Sequence, residues 1–125
     1  MVKIKATNQA LLAPLQHVTG IVERRHTLPI LSNVLLSATK SSLEMKATDL
    51  DLEVTEAAPA SVEQAGATTV PAHLLYDIVR KLPEGAEVML RTDDDGTAMS
   101  VVSGRSSFRL QCLPQSDFPE LTAGT

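Results

Sequence analysis

An order of segments that occurs twice constrains this chain more than any other feature. "MVKIKAT" (1–7) alternates Val2, Ile4 and Ala6 with Lys3 and Lys5, the two-residue period of a half-buried strand. "NQALLAPLQHVTG" (8–20) then spaces Leu11, Leu15 and Val18 along one helical face, with Asn8 suited to cap the start and Gly20 to end it. Pro14 lies inside this helix and is expected to bend it or remove a hydrogen bond. Pro29 biases Leu28 toward extended backbone, so residues 20 to 29 read as a loop leading into a strand. "NVLLSA", "SLEMKAT" and "LDLEVTEA" follow as three short strands. From residue 66 the same order begins again. "GATTV" is a strand, and "PAHLLYDIVRKLP" is a helix with Pro71 in its first turn and Pro83 at its close. "EVMLRT", "AMSVVS" and "SFRLQCL" complete the second set, with "DDDG" as the turn between the first two.

Strand, helix and three strands, repeated, is the signature of an internal duplication. Two helices against many antiparallel strands make an α+β layout. The pattern predicts two helices side by side on one face of antiparallel sheet, related by an approximate two-fold axis. The far side of the helices is left free to meet a partner.

At 125 residues, 43% of them hydrophobic, the chain is sized for one domain, residues 1–125, with an adequate core. Its only aromatic residues are Tyr76, Phe108 and Phe118, so the core must come from aliphatic side chains and Met, and stacking on single-stranded bases is disfavoured. The single cysteine, Cys112, excludes an internal disulfide. With no His or cationic cluster beside it in sequence, Cys112 reads as a small packing residue. No charged-then-apolar leader opens the chain, and no apolar run approaches the roughly 18 residues of a membrane span, so a soluble, reducing, cytoplasmic setting is the expectation.

The net charge is −4, but it is unevenly spread. Residues 44 to 63 hold six acids against Lys46 alone, and Asp93, Asp94 and Asp95 add three more. Arg24, Arg25 and His26 cluster in one place, and His73, Arg80 and Lys81 in another. Fields near a surface follow local charge within about 8 Å at physiological salt, so a net acidic chain with such clusters can still bind a polyanion. On the second helix Leu74, Leu75, Ile78 and Leu82 are expected to form the apolar stripe, with His73, Asp77, Arg80 and Lys81 on another face. Arg80 and Lys81 also complement the helix dipole, and taken alone the "RRH" cluster reads as a solvated loop. If the duplicated helices pack side by side, both clusters can offer phosphate contacts on one surface.

Enzymatic readings find little support. Neither a dinucleotide nor a phosphate-loop fingerprint is present, nor a zinc motif, and no Ser/Asp or Cys partner can be assigned to His17, His26 or His73. Asp49, Asp51 and Glu53 share one strand face and could hold a metal, but their alternation with Leu50, Leu52 and Val54 is more simply a solvated face. No cofactor is implied.

Four stretches, "RHTLPILSNVLL", "TDLDLE", "GATTVPAHLLYDIVRKLPEGAEV" and "SGRSSFRLQCLPQSDFP", together closely resemble the first domain of the bacterial sliding clamp family, the beta subunit of DNA polymerase III. The similarity runs in register along almost the whole chain. It implies a DNA clamp fold and a non-catalytic processivity factor. Three such domains make a subunit, and two subunits close head to tail into a homodimeric ring around double-stranded DNA without regard to sequence. By the same resemblance the chain is the first of the three domains. The sites for DNA polymerase III and the clamp loader would then lie on the later domains, which are absent here.

The resemblance also implies residue roles. Arg25, with Arg24 beside it, matches an arginine that approaches DNA in the loop before "TLPIL". His73, Arg80 and Lys81 lie on the matching second lining helix and are carried over as DNA-binding residues. Arg105, Phe108 and Leu110 match the strand that meets the neighbouring subunit, while Ser107 stands where many relatives have a second basic residue.

Overall fold

The structure is a computed structural model that describes residues 2–22, 29–48, 53–83, 85–93, 96–113 and 118. Strand β1 (Lys3–Thr7) runs directly into helix α1 (Asn8–Thr19), and a short 3-10 turn (Pro29–Ser32) leads to β2 (Asn33–Thr39). Strands β3 (Ser42–Thr48), β4 (Glu53–Pro59) and β5 (Ser61–Gln64) follow. Strand β6 (Gly66–Pro71) feeds helix α2 (Ala72–Lys81), and β7 (Glu87–Thr92), β8 (Ala98–Ser103) and β9 (Ser106–Gln111) end the described elements.

The strands form two antiparallel sheets, ordered β5-β1-β7-β8-β9 and β4-β3-β2-β6, rather than a single one. Their make-up reveals how the duplication is built. Each unit's last three strands form a meander, β2-β3-β4 or β7-β8-β9, and each meander is completed by the first strand of the other unit. Thus β1 pairs with β7 from Lys3↔Arg91 to Thr7↔Glu87, and β6 pairs with β2 from Asn33↔Pro71 to Ala38↔Gly66. The duplication even extends to a fifth segment that the periodicity of the sequence does not reveal. Strand β5 follows the first meander and pairs with β1, while Leu113 follows the second and forms an isolated bridge to Thr69 of β6.

The helices lie side by side and pack with the strands in one core. Leu11, Leu15 and Val18 of α1 meet Leu75 and Val79 of α2 together with inward residues of both sheets, such as Ile4, Leu36, Met45, Val88 and Val101. Complete burial of an aliphatic side chain such as Leu15 contributes about 1.5–3 kcal/mol. Lys3 and Lys5 alternate outward on β1 and pair with Glu63 at 3.0 Å and Glu87 at 3.7 Å; exposed pairs of this kind add little stability.

Three local expectations are corrected. The cap of α1 is Thr7, whose hydroxyl accepts from the Ala10 N–H at 3.2 Å. Asn8 is buried instead: its Oδ1 accepts from the Gly85 N–H at 2.9 Å and its Nδ2 donates to the Leu82 carbonyl, tying the start of one helix to the end of the other. Pro71 is the last residue of β6 and the cap of α2, one position earlier than the first turn. On α2 the buried positions are Ala72, Leu75, Ile78 and Val79, while Leu74 stands 49% exposed. Both leucines suit the helical period, and what separates them is that Leu75 faces the core and Leu74 faces a groove.

Candidate nucleic-acid and subunit interface

Outward faces of the two helices carry little charge. Gln9, Ala13, Gln16 and His17 face away from the core on α1, which has no Lys or Arg at all. His17 lies 3.5 Å from Glu56 of β4. On α2 the polar side chains His73, Asp77, Arg80 and Lys81 are divided by direction. Arg80 donates from Nε to Asp77 Oδ1 at 3.1 Å, one turn back on the exposed side. His73 reaches the end of α1, where its Nε2 donates to the Val22 carbonyl. Lys81 and Asp77 line a groove beside β9. His73 is thus turned toward α1, while Arg80 and Lys81 stand on either side of Asp77. Arg24, Arg25 and His26 lie outside the described residues.

The groove, about 470 Å³ in volume, runs between α2 and the edge strand β9. Leu74, Ile78 and Leu82 line it from the helix and Phe108 and Leu110 from the strand. Leu74 and Phe108, 40% exposed, are the large hydrophobic side chains left open among the described residues, and they share this groove. Leu110, two positions along the strand from Phe108, is only 2% exposed and forms the groove's floor. Arg109, on the rim, pairs with Asp93. Arg105 is exposed at the tip of the two-residue turn joining β8 to β9, a turn made possible by Gly104 at φ +57°. Among the described residues β9 pairs with β8 on one side only, which leaves its other edge without a strand partner among them along Ser106–Gln111. The family resemblance points to Phe108 and Leu110, whereas Leu74 reads as core from the sequence, because an apolar residue on an amphipathic helix looks like core until its neighbours are known.

Of the three acids considered for a metal, only Glu53 is among the described residues, where it lies 3.8 Å from Lys46. No group of three His, Cys, Asp or Glu among the described residues could hold a metal ion. Cys112, just past β9, is half-buried; burial pushes its thiol above its ordinary value and Asp93 adds to the rise, partly offset by a hydrogen bond with Thr68. A thiol held protonated is a poor nucleophile, which agrees with a packing role. No helix among the described residues is long and apolar enough to cross a membrane.

Residues 2–122 match the family described as DNA polymerase III beta subunit, N-terminal domain. The chain belongs to that family. The beta sliding clamp of Caulobacter vibrioides is 47% identical over 121 residues, covering 97% of this chain and 32% of the relative. That of Escherichia coli K12 is 46% identical over 120 residues, covering 95% and 32%. Among solved structures, the sliding clamp of Bartonella birtlesii bound to griselimycin has a TM-score of 0.93 at 54% identity, covering all of this chain and 33% of that one. The chain thus spans about a third of the length of the clamps it matches.

Proposed function

We propose that this chain is the first of three domains in a sliding clamp subunit, a non-catalytic processivity factor whose two copies close head to tail around duplex DNA and tether the replicative polymerase. The observation that carries this reading is likeness to sliding clamps along nearly the whole chain, at 54% identity and a TM-score of 0.93. The physical character of the helical layer supports it. A ring that must slide needs weak attraction to phosphates without base readout, and a helical surface with Arg80 on α2 and no Lys or Arg on α1 suits that demand. Arg24 and Arg25 are proposed as the principal phosphate contacts.

The groove beside β9 fits the subunit contact. An unpaired strand edge next to exposed Leu74 and Phe108 suits a partner that adds a strand while filling the groove with apolar side chains. Lys81 and Arg109 outnumber Asp77 in its lining and favour an acidic partner surface. A head-to-tail contact uses two different patches, so the complementary one belongs on another domain.

The reading is tested with the three-domain protein loaded onto nicked circular duplex. Retention on the circle through high-salt washing, followed by release when the circle is cut, is the expected result, because encirclement is topological. Equal retention on circular and linear duplex would sink it.

A further inference from the structure

Each of the two sheets turns one face to the core and the other to solvent, yet their outer faces differ in charge. Among the described residues, the outward charged positions of the four-stranded sheet are Lys46, Glu44 and Glu53. The five-stranded sheet carries Lys3, Lys5, Arg91 and Arg109 outward, against Glu63, Glu87 and Asp93. One unit of the duplication thus has an outer face with an excess of acid, and the other an excess of base, in a chain whose net charge is −4.

Strand register sets these cations in a line. Lys3 stands opposite Arg91, Arg91 opposite Ser100 and Ser100 opposite Arg109, a row that crosses four strands. The next row holds Lys5, Met89, Val102 and Ser107. Met89 and Val102 are half-buried and alternate with the core residues Val88, Leu90 and Val101, so they lie on the outer face as an apolar pair beside the cations. Lys3 pairs with Glu63, Lys5 with Glu87 and Arg109 with Asp93, whereas Arg91 is exposed and has no ion pair among the described residues. Like charges directly opposite on neighbouring strands destabilise a sheet. An opposite-charge pair would serve solubility equally well, so solvation alone does not account for Lys3 beside Arg91.

We propose that the outer face of the five-stranded sheet is a docking surface for an acidic amphipathic helix of another protein, whose apolar side chains rest on Met89 and Val102 while a carboxylate sits between Lys3 and Arg91. That carboxylate relieves the repulsion between the two cations, and the apolar pair keeps water from one side of it. Glu63, Glu87 and Asp93 repel a phosphate chain, and no aromatic ring among the described residues lies on this face for a base to stack on, so the occupant is protein rather than nucleic acid. The face lies across the sheet from both helices and shares only Arg109 with the groove beside β9.

The probe is a synthetic helical peptide of about four turns with leucines along one stripe and glutamates flanking it. It is titrated into the chain by NMR beside a version with lysine for every glutamate and a single-stranded oligonucleotide. The acidic peptide should shift the signals of Lys3, Met89, Arg91, Ser100 and Val102. R91E should bind it about tenfold more weakly and should gain affinity for the lysine peptide. The same substitution should raise the urea midpoint of the chain, because it sets opposite charges across β1 and β7. M89T/V102T, which keeps residues suited to strands, should also bind about tenfold more weakly. If R91E does not fold, R91Q takes its place with about a threefold loss. Equal binding of the acidic and lysine peptides, or R91E binding like wild type, would overturn the proposal. So would shifts gathered at Leu74 and Phe108 instead, tighter binding of the oligonucleotide at the same signals, a lowered urea midpoint in R91E, or no shifts at millimolar peptide.

Discussion

Thr69 and Leu113 fasten the two sheets to each other by a reciprocal pair of hydrogen bonds. The Leu113 N–H donates to the Thr69 carbonyl at 3.3 Å, and the Thr69 hydroxyl donates back to the Leu113 carbonyl at 2.8 Å. The same hydroxyl accepts from Asn33 Nδ2 at 3.1 Å. Thr69 and Asn33 are both buried, so water cannot take the place of the hydroxyl at the Asn33 amide. Thr69→Val keeps the shape but strands the Asn33 amide and the Leu113 carbonyl, and should cost about 2–3 kcal/mol, with Thr69→Ser costing under about half of that. Urea unfolding measures both, and hydrogen exchange at the Leu113 amide should quicken in the valine variant.

The identity of the α1 cap separates two substitutions one residue apart. Thr7→Ala removes an ordinary cap and should cost about 1 kcal/mol. Asn8→Ala removes a buried side chain bonded to Gly85 and Leu82, and should cost about 2 kcal/mol or more because both backbone groups lose their partner. Thermal and denaturant unfolding of the two variants should rank them in that order. The reverse order would restore Asn8 as the cap.

How far the fold could be read in advance follows from what each signal depends on. Strands β3, β7 and β8 could be delimited to the residue because their periods are local and turn residues flank them. Asn8 could not be placed, since a cap and a buried bridge to the loop after α2 favour the same side chain, and Gly85 is 77 positions away. Leu74 escaped for the same reason, its exposure being set by the gap between α2 and β9. The split into two sheets was equally hidden, because no local pattern tells a first strand which meander it will join. Strand β5, at four residues, is too short for alternation to declare itself.

Disruption of the proposed subunit contact should leave the domain's own stability nearly untouched. Phe108→Asp or Leu74→Glu, introduced into the three-domain protein, should shift the ring toward single subunits in sedimentation velocity. In the chain of residues 1–125 the same changes should alter unfolding free energy by no more than about 0.5 kcal/mol, as both side chains are substantially exposed. That chain alone should sediment as a monomer at micromolar concentration, since the groove's complement lies on a different patch. A tight dimer of residues 1–125 would contradict the head-to-tail arrangement.

Cys112 supplies a pH-dependent prediction. Its folded-state thiol is raised, chiefly by burial, above the ordinary value of 9.0 that it regains on unfolding. Its contribution to stability is therefore complete at neutral pH and declines as pH climbs from about 9.0 toward the raised folded value. Between neutral pH and that region, alkylation by iodoacetamide should run slower than in the urea-unfolded chain. Cys112→Ser should flatten the alkaline end of the stability profile, and identical profiles for variant and wild type would discount the burial effect.

Exchange of first strands between the two meanders also governs the order in which the molecule can be completed during synthesis. β1 emerges from the ribosome first, yet of its two partners β5 begins only at Ser61 and β7 only at Glu87; Val2 finds its bonds to Thr92 90 positions later. The β2-β3-β4 meander likewise waits for β6 before its inner edge is covered. The four-stranded sheet can be completed once β6 is made, but no nascent chain short of β7 can close the five-stranded sheet around the full core, so folding is driven toward a late step with a large loop-closure entropy. Until then one edge of β1 is open to strand pairing with other chains, and ribosome-bound intermediates ending before residue 87 should be where chaperone engagement is greatest.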